Sequence, residues 1–184
     1  VARIDHALSV GQRIAIYGDY DIDGITATAL LCDVLRQLGA QVEPYIPDRF
    51  EEGYGLNIEA LKKLKDSGVD LVISVDCGIA AASEVAQAKD FGLDLIVTDH
   101  HTVPEVTPDA AIACINPRLE GDTYPYKDLA GVGVAFKLAS ALAHAYPDKI
   151  KPGHEKWFMD LVALGTVCDV VPLVGENRAL VQFG

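Results

Sequence analysis

The sequence predicts an α/β fold, in which a parallel-sheet domain has helices on both faces and continues into a helical C-terminal extension. Strand-length apolar runs alternate with helix-length stretches over the first 120 residues or so. Two of the runs, residues 68–76 and 92–99, are continuously apolar and end in aspartate, as strands buried on both faces do. After a polar loop, only helical patterns follow.

Each element has its own local signal. In residues 25–38 the apolar positions recur at helical spacing, and Gly39 ends the helix. Asn57 is a candidate N-cap, and Pro47 and Pro117 end strands. The predicted strands are 13–17, 42–46, 68–76, 92–99 and 112–115, and the predicted helices are 25–38, 57–65, 80–91, 132–146 and about 155–170.

Composition limits the class of protein. Half of the 184 residues are hydrophobic, enough for a real core, and no run reaches the roughly 18 apolar residues that a membrane span needs. Four cysteines without a Cys-x-x-Cys pair indicate reduced thiols, packed as core residues, in a soluble cytoplasmic protein. The chain begins at Val1 and stops within apolar sequence, so we expect it to be part of a longer protein.

Three alternating aspartates, Asp19, Asp21 and Asp23, follow the first strand directly. Like charges this close repel one another unless a cation binds them. An EF-hand loop is excluded because its twelfth position, counted from Asp19, is Leu30 rather than Glu, and because a strand precedes it. The stretch therefore predicts a metal site at the carboxyl edge of a sheet.

Two further strands end in metal-binding residue types. Asp76 ends the third strand, and Asp99, His100 and His101 end the fourth. Ligands of parallel sheets bind outside the carboxyl ends of the strands, so these groups should converge. Oxygen-rich ligation with imidazole suits Mn²⁺ or Mg²⁺, and the surplus of carboxylates suggests two ions. A response-regulator receiver domain is disfavoured because Arg118 and its neighbours offer no lysine after the fifth strand.

Four motifs, residues 18–24, 74–78, 99–101 and 166–173, resemble the successive motifs of the DHH phosphoesterase superfamily. Residues 47–56 and 129–138 are similar to stretches of its bacterial single-strand-specific DNA exonucleases. The resemblance implies a metal-dependent 5′-to-3′ exonuclease core that releases 5′-mononucleotides in DNA repair and recombination. It also implies one DHH domain over 1–184, with an α/β sheet core over about 1–120 and a helical part over about 130–184. The DHH-associated and OB domains of such proteins would lie downstream.

The resemblance assigns roles to individual residues. Two divalent ions, Mn²⁺ or Mg²⁺, would be held by Asp19, Asp21, Asp23, Asp76, His100 and Asp169. Asp76 would bridge both ions and so act in catalysis, while Asp19 either replaces a histidine ligand of small-substrate relatives or lies beside the ligands. Asp99 would orient His100. His101 would point away from the ligands and contact the scissile phosphate. The substrate-binding candidates are Arg49, Tyr54, Arg118, Gly131 and Gly133.

Two other functions remain open within the superfamily. One is hydrolysis of a small substrate such as pyrophosphate, a short oligonucleotide or a cyclic dinucleotide, and the other is a catalytically silent scaffold. The net charge of −12 predicts that this region alone binds single-stranded DNA weakly. Other replication or repair proteins are possible partners by resemblance, and no membrane partner is expected.

Overall fold

The computed structural model describes residues 1–151 and 153–184, and it confirms the predicted α/β fold with a parallel sheet. All four strand pairings are parallel. The strands are β1 (Arg13–Tyr17), β2 (Gln41–Tyr45), β3 (Val69–Val75), β4 (Asp94–Thr98) and β5 (Ala113–Ile115). Their spatial order is β2-β1-β3-β4-β5. Each strand lies within two residues of its predicted position.

The helices agree with the prediction in the middle of the chain and differ at its ends. They are α1 (Ala2–Val10), α2 (Ile22–Gln37), α3 (Ile58–Asp66), α4 (Ala82–Asp90), α5 (Gly131–Ala145), α6 (Met159–Cys168) and α7 (Gly175–Phe183). The predicted helix over 155–170 is a short 3₁₀ helix, His154–Phe158, followed by α6. The sequence prediction missed α1 and α7, because each short helix buries only two side chains and so has a weak apolar pattern.

Helices cover both faces of the sheet because neighbouring strand residues point to opposite sides. Ile14 and Ile16 of β1 pack in a core with α1, α2 and α5, whereas Ala15 and Tyr17 pack in a second core with α3 and α4. Six of the seven β3 residues are accordingly buried, and only Asp70 is half-buried.

The strand order places the candidate site. From β1 the chain adds β2 on one side of the sheet, and from β3 it adds β4 and β5 on the other. Adjacent loops after β1 and β3 therefore leave the sheet in different directions, which opens the crevice where α/β proteins bind ligands. Both α5 and α6 pack on α2, and this packing brings the later part of the chain to the same crevice.

All four cysteines are free thiols, but the expectation of core packing is wrong for Cys168, which is exposed at the end of α6. Cys32 and Cys77 are buried as predicted, and Cys114 is half-buried. Among the described residues, no helix combines the length and apolar character that crossing a membrane requires.

Candidate metal centre

The loop between β1 and α2 holds the first two aspartates. The Asp19 side chain is buried, and its Oδ1 accepts the backbone N–H of Tyr20 at 2.7 Å. Asp21 is the N-cap of α2 and accepts the N–H of Gly24 at 2.9 Å. A Cβ atom at Gly24 would lie 2.5 Å from the backbone nitrogen of Asp19, so the loop can close this tightly only with glycine.

Asp23, in the first turn of α2, has a double role. Its Oδ2 accepts the N–H of Gly131 at 2.6 Å, and its Oδ1 accepts the N–H of Val132 at 2.8 Å. These are N-terminal N–H groups of α5, which need an acceptor. The N–H of Gly131, a substrate-binding candidate, therefore already has Asp23 as its acceptor. Gly133 is a packing glycine whose Cβ would meet Leu129 at 3.2 Å.

Asp76 follows β3 in a left-handed backbone conformation, with φ of 60°. Its side chain is 2% exposed, and its Oδ1 has no hydrogen-bond partner in the described part of the chain. The backbone of α5 approaches it closely, since a Cβ atom at Gly131 would lie 2.5 Å from this oxygen. An unpaired buried carboxylate is costly, which suggests a ligand at this position.

His100 faces three carboxylates from three different segments. Its Nε2 lies 3.1 Å from Oδ1 of Asp76, 3.7 Å from Oδ2 of Asp169 and 3.9 Å from Oδ2 of Asp23. Neither ring nitrogen has a hydrogen-bond partner within residues 1–151 and 153–184. Asp169 reaches this position from the C-cap of α6, and its Oδ2 is likewise buried without a partner.

The electrostatics of the cluster favour a bound cation. Burial, with repulsion from Asp76, raises the pKa of Asp23 to about 7, and burial, with repulsion from Asp21, raises that of Asp76 to about 9. Burial also raises the pKa values of Asp19 and Asp169. A divalent ion would offset the repulsion and use the unpaired atoms.

The six predicted ligands, together with His101, form three overlapping groups, within each of which the donor atoms lie no more than 4.8 Å apart. The groups are Asp76 with His100 and His101, Asp23 with His100 and Asp169, and Asp19 with Asp21 and Asp76. The donor set is rich in carboxylate and fits Mn²⁺ or Mg²⁺. All six predicted ligands thus lie together, Asp19 included.

Asp99 orients a different ring from the one predicted. Its Oδ1 lies 2.7 Å from Nδ1 of His101 and accepts the backbone N–H groups of His100 and His101, while its Oδ2 accepts the N–H of Ile79 at 2.8 Å. The prediction that Asp99 orients the His100 ring is wrong, because the chain turns after β4. For the same reason His101 does not point away from the ligands; its ring centroid lies 4.5 Å from that of His100.

The hydrogen bond between the two side chains raises the pKa of His101 to about 9. The same bond keeps the pKa of Asp99 below its ordinary value, although the Asp99 carboxyl group is buried. An ionised Asp99 can only accept, so Nδ1 of His101 is the donor. Nε2 of His101 lies 3.2 Å from the hydroxyl of Tyr54.

The predicted substrate-binding residues fall into two groups. Tyr54 makes an edge contact with His101, and Tyr20 lies between Tyr54 and Arg49, whose guanidinium is 5.1 Å from the Tyr20 ring centre. The sequence prediction missed Tyr20, although an aromatic residue between two metal-binding acids was a usable signal. Arg118 instead pairs with Asp128 at 3.2 Å, and its positive charge partly offsets the rise in the pKa of Asp169 that burial causes.

Comparison with known proteins identifies relatives of the whole chain. The model of the DHH family, N-terminal domain, matches residues 13–166. The single-stranded-DNA-specific exonuclease RecJ of Bacillus subtilis is 50% identical over 182 residues, which is 99% of this chain and 22% of that protein. The chain thus spans less than a quarter of the length of this relative.

Two solved structures share the fold over the whole chain. A crystal structure of exonuclease RecJ bound to manganese is 42% identical, with a TM-score of 0.87, and the chain covers 45% of it. The crystal structure of RecJ from Thermus thermophilus in complex with Mn²⁺ is 37% identical, with a TM-score of 0.81 and 25% of its length covered.

Proposed function

The chain belongs to the DHH family, and from this membership we propose that it is the metal-dependent catalytic core of a single-stranded-DNA exonuclease. The observation that supports the proposal most strongly is the cluster of buried carboxylate and imidazole atoms without hydrogen-bond partners around His100. The named activity and the manganese of the RecJ relatives agree with it. The 5′-to-3′ direction and the release of 5′-mononucleotides are part of the proposal by family resemblance.

In the proposed centre, two divalent ions are held by Asp21, Asp23, Asp76, His100 and Asp169, with Asp19 on the Asp21 side. Such ions polarise phosphoryl oxygens and lower the pKa of bound water. Asp76 and His100 each belong to two of the three donor groups. Because a carboxylate has two oxygens that can each bind an ion, Asp76 is the ligand proposed to serve both ions.

His101 is proposed to contact the scissile phosphate. Asp99 fixes the ring through Nδ1, which leaves Nε2 free to exchange its contact with Tyr54 for a phosphate oxygen. The side chain of His101 is 43% exposed, so a substrate can reach it from solvent. Tyr54, Tyr20 and Arg49 would lie next to the bound strand, because aromatic and guanidinium groups contact bases and phosphates.

A second candidate function is hydrolysis of a small phosphorylated substrate. The net charge of −12 disfavours an extended contact with a strand of phosphates, whereas a small substrate would need to contact only the metal centre. A catalytically silent scaffold is less consistent with the chain, because all six predicted ligands are present and clustered.

We place one DHH domain over 1–184, with its sheet core up to about residue 120 and its helical part from about 130, and the DHH-associated and OB domains outside this range. Single-stranded DNA is the proposed partner, bound weakly by this region alone, together with other replication or repair proteins. A cytoplasmic location is proposed from this substrate and the free thiols.

One assay separates the candidates. The purified chain with Mn²⁺ is given 5′-labelled single-stranded DNA, duplex DNA, pyrophosphate and a cyclic dinucleotide. We expect cleavage of single-stranded DNA that is lost in Asp76→Asn and retained in the matched control Asp90→Asn, an exposed aspartate at the end of α4. Turnover of pyrophosphate or the dinucleotide without any DNA cleavage would support the second candidate instead.

A further inference from the structure

We propose that Asn177, in the first turn of α7, is a positioning residue that holds Asp169 in the metal centre. The inference rests on the proposed function, in which Asp169 is the ligand contributed by the helical part of the chain. Within residues 1–151 and 153–184 the Asn177 amide donates only to backbone carbonyls, so it would act through the backbone on either side of the site.

The turn after Asp169 needs support from its surroundings. Asp169 caps the C-terminus of α6, and the next residue, Val170, has φ of 62°. A β-branched residue rarely adopts this left-handed conformation, which persists only where neighbouring contacts impose it. Val170 is itself 85% exposed, so packing of its own side chain does not impose it.

Asn177 supplies such a contact. It is fully buried, and its Nδ2 donates to the carbonyl of Pro172 at 3.1 Å, two residues after Val170. The same Nδ2 donates to the carbonyl of Asp128 at 2.6 Å. One side-chain amide therefore joins the turn that follows Asp169 to the segment that precedes α5.

The segment at Asp128 leads to the other side of the metal centre. Three residues after Asp128, Gly131 begins α5 and donates its N–H to Asp23. Asn177 thus fixes Asp169 relative to Asp23, and both carboxylates face Nε2 of His100. Tyr126 reinforces the link, since its hydroxyl donates to the carbonyl of Val174 at 2.8 Å and contacts that of Pro172 at 3.4 Å.

The test measures Mn²⁺ binding by titration, reading free Mn²⁺ by electron paramagnetic resonance. Asp169→Asn should lower the Mn²⁺ affinity of one site. Asn177→Ala should lower the affinity of the same site by roughly tenfold, as mutation of groups that support metal ligands does. The double variant should bind no more weakly than Asp169→Asn alone. Val170→Gly, which relieves the left-handed strain, should restore part of the affinity lost in Asn177→Ala. The matched control is Leu180→Ala, a core residue of the same helix, which should lower thermal stability and leave Mn²⁺ affinity unchanged.

Additive effects of Asn177→Ala and Asp169→Asn, or wild-type affinity in folded Asn177→Ala, would overturn the positioning role while leaving the proposed metal centre intact. A wild-type chain that binds no Mn²⁺ would overturn both proposals. If circular dichroism shows Asn177→Ala unfolded, the half-exposed Tyr126→Phe takes its place. Tyr126→Phe should lower the Mn²⁺ affinity of the same site by a smaller factor. Unchanged Mn²⁺ affinity in this variant would also contradict the inference.

Discussion

The backbone N–H of Gly131 donates a hydrogen bond of 2.6 Å to Oδ2 of Asp23. One carboxylate therefore satisfies the N-terminus of α5 and also faces His100, 3.9 Å away. Asp76 differs, because its Oδ1 has no partner among the described residues. Without metal, the Asp23 side chain therefore stabilises the fold, whereas the ionised Asp76 side chain destabilises it.

Chelator-treated protein should reveal this difference. Asp23→Ala removes the acceptor of two α5 N–H groups and should destabilise the fold by about 1 kcal/mol, the usual effect of losing an N-cap. Near pH 9 and above, where Asp76 ionises, Asp76→Asn removes an unpaired buried charge and keeps a residue type that tolerates positive φ, so it should stabilise the fold. Urea unfolding in EDTA measures both. A loss of stability in Asp76→Asn as large as in Asp23→Ala would contradict this reading.

His101 should lose its raised pKa when Asp99 is changed. The Asp99 carboxylate is the largest cause of the shift to about 9, so Asp99→Asn should return the pKa of His101 toward its ordinary value. Nitrogen-detected NMR titration of the imidazole measures it. Asp94→Asn, at the other end of β4, is the matched control and should leave the pKa of His101 in place. An unchanged value in Asp99→Asn would disprove the assigned contact.

The free energy of unfolding of the metal-free protein should fall as pH rises from 5 to 9. The folded-state pKa values of Asp23 and Asp76, about 7 and 9, lie above those of the unfolded chain, so the folded state binds these protons more tightly. Their contribution is fully present below pH 4 or so and is lost as pH rises through the folded values, by up to about 1.4 kcal/mol per pH unit for each proton.

Saturating Mn²⁺ should abolish most of this decline, because it binds the ionised carboxylates, and Asp76→Asn should reduce the decline in EDTA. Thermal unfolding across this pH range, with and without Mn²⁺, measures the effect. A chelated protein that gained stability from pH 5 to 9 would show that other groups dominate.

Two glycines of α5 should respond differently to alanine. At Gly131 the new Cβ would lie 2.5 Å from Asp76 Oδ1, so Gly131→Ala should cost about 1–3 kcal/mol, as overpacked sites do, and impair Mn²⁺ binding. At Gly133 the Cβ would meet only the flexible Leu129 side chain at 3.2 Å, so Gly133→Ala should be nearly neutral. Urea unfolding and Mn²⁺ titration of the pair test this, and equal losses would contradict it.

The sheet and the convergence of its acids were predictable because both depend on local pattern. A continuous apolar run such as β3 has few alternatives to a buried parallel strand, and Asp76 at its end must then lie at the carboxyl edge. The helix cap Asn57 was equally local, and its side chain accepts the N–H groups of Glu59 and Ala60 as predicted.

The remaining features depend on contacts between distant parts of the chain. Asp23 and Gly131 are 108 positions apart, and no pattern in either segment signals that one caps the other. The choice of His101 rather than His100 as the partner of Asp99 follows from the direction in which the backbone turns after β4. The strained turn at Val170 depends likewise on Asn177, in a helix too short to be predicted.

The most direct test of the account is the number of Mn²⁺ ions that the chain binds. Titration of the wild-type chain should give two bound Mn²⁺ ions. Asp169→Asn should lower the affinity for one of them, and Asp76→Asn should lower the affinity for both. Each loss should appear without unfolding by circular dichroism. Two ions bound with wild-type affinity by folded Asp76→Asn would contradict the metal centre proposed here.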